Sequence, residues 1–164
     1  MRCYNILLFW DCLAENGVIM SLFNPSRDEV REFFFNTWLK HKQAQALTDL
    51  EKIGLSVMLL HPEYHSILDA PEQFKHQEYF PEFGETNPFL HMSLQLSVLE
   101  QISINQPIGI ADIYKTLVNK HQNEHDAMHD MIDCLAETIW QSQRNNTPLD
   151  SAHYLNLLQN KTQL

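Results

Sequence analysis

Histidine is the side chain in this sequence whose number and spacing most invite chemistry. Nine occur in 164 residues. Placed at random, nine would give only about 0.4 pairs at separation four, the spacing that stacks two side chains on one helical face. Three such pairs are present: His61/His65, His121/His125 and His125/His129. An imidazole can ligate a divalent transition metal, and inward-facing histidines of a helical bundle are one way to hold it.

Helical-wheel placement narrows the set. Over residues 124–144 the apolar face is drawn by Met128, Ile132, Leu135 and Ile139. At ~100° per residue His125 falls within about 20° of Ile132, and His129 about 60° away, so both are expected to point toward the core. Over residues 88–105, Ser93, Ser97 and Glu100 read as the polar face, while His91 and Gln95 share a side with Leu94, Val98 and Ile102. The expected ligands are His91, His125 and His129, with His65 as a fourth. Within His61-Pro62-Glu63-Tyr64-His65, His65 takes precedence because the residue before a proline is conformationally restricted. Asp133 and Glu137 are candidates to orient an imidazole from behind, and Gln95 to support the centre. Ligand type alone leaves Zn, Fe or Ni open for a single bound ion. His41, His76, His121 and His153 fall near helix ends or in loops and are expected to be solvated.

The elements that must position these groups read as helices. Asn24-Pro25-Ser26 opens one running to about Lys42, and Thr48-Asp49-Leu50-Glu51 is a capping box that starts another, ended by Pro62. Asn87-Pro88 restarts helix to about Asn105, a shorter one occupies 110–120, Asn123 caps the longest at 124–144, and Thr147-Pro148-Leu149-Asp150 opens the last. Strand signals are absent. The expected fold is an all-α antiparallel bundle of five to six helices, interrupted by a long loop over about 69–86.

Composition sets the outer limits. The formal charge of -10, from 21 acidic and 11 basic residues, argues against nucleic acid or an anionic membrane as partner. Cys3, Cys12 and Cys134 show no Cys-x-x-Cys spacing, which fits a reducing cytoplasm better than a disulfide framework. Cys134 and Met92, Met128 and Met131 read as core residues. The run Ile6-Leu7-Leu8-Phe9-Trp10 is too short to span a bilayer or serve as a signal segment. Gly17-Val18 can be encoded by GGA-GTN, a purine-rich ribosome-binding sequence just ahead of a start codon for Met20. Residues 1–19 are therefore expected to be a non-native or disordered extension, and 20–164 a single domain.

Four stretches carry a resemblance. Asn24-Pro25-Ser26-Arg27, His61-Pro62-Glu63-Tyr64-His65, Gly84-Glu85-Thr86-Asn87-Pro88-Phe89-Leu90-His91-Met92 and Cys134-Leu135-Ala136-Glu137-Thr138-Ile139-Trp140-Gln141 resemble the bacterial family known as domain of unknown function 1841. The resemblance spans about residues 21–160 and implies no reaction. In spacing, His91 with His125-x-x-x-His129 is also similar to the DinB-like metal-binding bundles, an analogy that does not carry function with it.

Two readings follow. One is a divalent-metal-binding bundle with an open coordination position under the 69–86 loop, suited to a metal-dependent hydrolase or thiol transferase acting on an unknown small molecule. The other is a non-enzymatic interaction module. Its acidic, aromatic loop (Asp69, Glu72, Glu78, Glu82 and Glu85 with Phe74, Tyr79, Phe80 and Phe83) would dock a protein partner, and its histidines would be structural.

Overall fold

The structure, a computed structural model, describes residues 26–80 and 85–163. Over these the chain is all-α, with eight α-helices and no strand. They are α1 (Arg27–Lys42), α2 (Asp49–Leu60), α3 (His65–Leu68), α4 (Pro71–Phe74), α5 (Pro88–Ile104), α6 (Ile110–His121), α7 (Glu124–Asn145) and α8 (Ser151–Gln163). A 3₁₀ turn at Pro62–Tyr64 joins α2 to α3. The six long helices lie where caps and apolar spacing place them. The single-turn helices α3 and α4 are additions to that expectation. Pro62 and Pro71 each open a helical turn, because a fixed φ suits the first position, where no amide donor is needed.

Capping explains the starts. Ser26 and Glu29 form a capping box at α1, and Thr48 and Glu51 form another at α2, each satisfying two orphan amides. The Asn87 Oδ1 accepts from the amides of Phe89 and Leu90 at 3.0 and 3.1 Å, with Pro88 at the first position of α5. The Asn123 side chain caps α7.

The described residues fall into two compact units, residues 26–96 and residues 97–163. The boundary lies inside α5. In the first unit α1 packs on α2, and Val30, Phe34, Phe35 and Trp38 are buried together with Val57, Met58, Leu68, Phe89 and Met92. Gly54 lets the two helices approach, since a Cβ there would stand 2.9 Å from the ring of Phe33. In the second unit α6, α7 and α8 pack pairwise on one another. Their buried residues include Ile110, Leu117, Met131, Leu135, Ile139, Tyr154 and Leu158. Gly109, at φ +97°, occupies the left-handed cap position of α6, a conformation that L side chains rarely adopt.

Helix α5 departs from its expected amphipathicity. Ser93 and Ser97, read as its polar face, are both buried, as are Gln95 and Gln101. The Ser93 hydroxyl donates to the Phe89 carbonyl at 2.6 Å, a back-bond that lets a serine sit in an apolar interior. Residues 92–98 are all buried, and a stretch covered all round needs no solvent-facing stripe.

The chain around 69–80 is held down. Arg31, 1% exposed, sends Nη1 to the carbonyl of Lys75 at 2.7 Å and Nη2 to that of Gln77 at 2.8 Å. Its guanidinium lies over the rings of Phe89 and Tyr79, at 5.0 and 5.7 Å. Residues 81–84 of the expected loop, with Glu82 and Phe83, lie outside the described residues, as do the 1–19 extension, Cys3 and Cys12. No helix among the described residues is long and apolar enough to cross a membrane.

Candidate functional site

Two of the sequence stretches that could carry chemistry meet in the first unit. The chain leaves α2 at His61, a C-cap residue that Pro62 keeps out of the helical region at φ -120° and ψ 68°, and its imidazole is only 2% exposed. His91 and Gln95 stand four residues apart on α5, so both present to the same side. The His61 and His91 rings meet edge to face, with centroids 4.7 Å apart. Tyr64 stacks on His61 at 5.3 Å.

Both nitrogens of His61 are directed. Nδ1 lies 2.8 Å from Glu63 Oε1, and Nε2 lies 2.6 Å from the Gln95 side-chain amide. A carboxylate can only accept, so Nδ1 donates to Glu63, while the atom that faces Nε2 is the Gln95 Oε1, also an acceptor. Burial pushes the Glu63 carboxyl up, but the His61 hydrogen bond, a backbone hydrogen bond and the His61 and His91 charges together outweigh it and leave the group below the usual carboxylate range. Burial, and then the Glu63 charge, pushes the Tyr64 phenol up.

His65, expected to outrank His61, is engaged elsewhere. Its Nε2 donates to the Met58 carbonyl at 2.9 Å and its ring lies on Trp38, centroids 4.5 Å apart. The restriction that counted against His61 is what aims it: a pre-proline residue cannot continue the helix, so its side chain leaves the α2 surface.

In the second unit His125 and His129 lie together, ring centroids 4.1 Å apart. His125 is exposed, a correction to its expected inward placement. It sits in the first turn of α7, before the buried stripe begins at Ala127, so a wheel angle there has no core to point at. His129 is half-buried and its Nδ1 donates to the His125 carbonyl at 2.9 Å. Asp133 is exposed, and Glu137 accepts from the Gln141 amide at 3.1 Å. The carboxylate that does orient an imidazole here is Asp130, which holds His121 Nε2 at 2.7 Å and the Lys161 ammonium at 2.7 Å. His121, expected to be solvated, is instead half-buried in this pairing. Its i, i+9 relation to Asp130 spans two helices, so no single-helix spacing reveals it. Burial pushes the Cys134 thiol up to about 11, the environment of a core residue and not of a nucleophile.

Among the described residues no three His, Cys, Asp or Glu side chains gather where they could hold a metal ion. What the first unit offers is two imidazoles, one amide side chain and one carboxylate behind.

These features define an all-α protein in which a buried histidine, at the turn after the second helix, lies between an exposed glutamate and a buried glutamine. The chain belongs to the family described as a domain of unknown function, DUF1841, whose profile matches residues 26–160. No curated protein and no solved structure matches it.

Proposed function

We propose that the chain is a metal-binding helical protein of the cytoplasm, with its centre in the first unit. His61 and His91 are the imidazole ligands and the Gln95 amide oxygen is the third donor. The observation that carries this reading is the hydrogen-bonding of His61: Glu63 fixes Nδ1 from behind while Nε2 faces Gln95 beside the His91 ring. A carboxylate behind a ligating imidazole sets its tautomer and raises its basicity. A mixed nitrogen and oxygen donor set suits Zn, Fe or Ni. Three protein donors leave a coordination position for an exchangeable ligand, and a metal bound there would supply Lewis acidity for hydrolysis or thiol transfer. His125 and His129, expected to join His91, form a pair of their own in the second unit.

The interaction-module reading draws less support. The chain from 74 to 79 is pinned by Arg31, and Tyr79 packs on Phe89 at 6.4 Å. Of the described loop aromatics only Phe80 is exposed.

Elemental analysis and thermal melts on protein purified without a histidine tag test the proposal. At a metal concentration a hundred times Kd, specific binding stabilises by about 2.7 kcal/mol, a shift of several degrees in Tm. The shift should vanish in His61→Ala and His91→Ala and persist in His125→Ala and His129→Ala. Less than about a tenth of an equivalent of copurified metal together with no shift from added Zn, Fe or Ni would overturn it.

A further inference from the structure

A cleft of about 420 Å³ opens in the first unit along α1, α3 and α4, and none of the residues of the His61 centre lines it. Its wall is apolar: Phe35, Trp38, Leu39, Leu68 and Pro71. Leu39 is 52% exposed there, a large aliphatic side chain left in water beside a concave surface. The volume falls in the range of about 300–1,000 Å³ typical of small-molecule sites.

The rim carries charges that do not cancel. Asp69 Oδ1 accepts both from the Trp38 indole N–H and from the Lys42 ammonium, each at 2.7 Å, so that pair is internally neutral and the indole ring is fixed in the wall. Glu32 on α1 and Glu72 on α4 remain, and among the described residues neither has an ion-pair partner. Against them stands Lys75 alone. An apolar wall under two carboxylates and one ammonium favours a ligand with a hydrophobic body and a positive head over its neutral or anionic isosteres.

We propose that this cleft is a binding site for a small organic cation, an amine carried on an aryl or alkyl body. The body lies against Phe35, Trp38 and Leu68, and the ammonium lies toward Glu32 and Glu72. The site is independent of the metal reading.

Titrations of the full chain in EDTA, followed by the Trp38 indole N–H resonance in ¹H–¹⁵N spectra, test it with phenethylamine as probe. Its isosteres 3-phenylpropionate and 2-phenylethanol serve as anionic and neutral comparators. The amine should saturate at millimolar concentration, and the carboxylate should bind about tenfold more weakly, since one gains ion pairing and the other meets like charge. The double variant Glu32→Gln/Glu72→Gln changes only exposed side chains, so its Tm should hold. In it, amine affinity should fall about fivefold while 2-phenylethanol is unaffected. The proposal is overturned by no saturation with any of the three up to about 20 mM, by carboxylate binding as tight as the amine, or by amine affinity unchanged in the double variant.

Discussion

A guanidinium buried to 1% exposure must find acceptors, and Arg31 finds them in backbone carbonyls of the segment that follows α4. Arg31→Met keeps the length of the stem but leaves those carbonyls without their donor. Chemical denaturation should show a loss of about 2–3 kcal/mol, and limited proteolysis should find new cleavage near residues 75–80. Glu100 is the opposite case. One of its oxygens is buried without a hydrogen-bond partner among the described residues, and burial pushes its carboxyl up to about 7. Its folded pKa lies above the unfolded value near 4.5, so between these values the native state binds the extra proton. Stability therefore falls as pH rises from about 4.5 to 7 and is flat beyond. Glu100→Gln should abolish that slope and stabilise the protein above pH 7, read from denaturation midpoints across the window.

Between elements, the Asp130 carboxylate links three helices. It sits on α7 and pairs with His121 on α6 and Lys161 on α8. Burial pushes its pKa up, but the Lys161 and His121 hydrogen bonds outweigh that and hold it below the usual value. A depressed carboxylate contributes stability that is present above its unfolded pKa and is lost as pH falls through the folded one. The loss lies below about pH 4. Asp130→Asn should cost about 1 kcal/mol at neutral pH and flatten the acid limb of the stability curve. This contact also marks the limit of sequence reading. Helix starts at Ser26, Thr48, Asn87 and Asn123 are legible because a cap and its amides lie within three residues. The His121–Asp130 pairing is set by how two helices pack, and nothing local encodes it.

For the whole molecule, a formal charge of -10 means that like charges oppose compaction. Raising NaCl from about 10 to 200 mM shortens the screening length below the spacing of most surface charges and should raise Tm by a few degrees. A Tm that falls instead would show that attractive pairs such as Lys42–Asp69 and Lys161–Asp130 dominate.

The sequence by itself determined the all-α class, the six long helices and their caps, and membership of the family, because amide capping and apolar periodicity act over one or two turns. It ranked His91 among the first ligands, but it placed His61 behind His65 and read Gln95 only as a support. Only the tertiary structure decided that His61, not His65, meets His91, that α5 is buried on all sides over residues 92–98, and that His125 faces solvent. A helical wheel orders side chains around an axis. Which angle faces protein, and for how many turns, depends on the neighbours that pack against it.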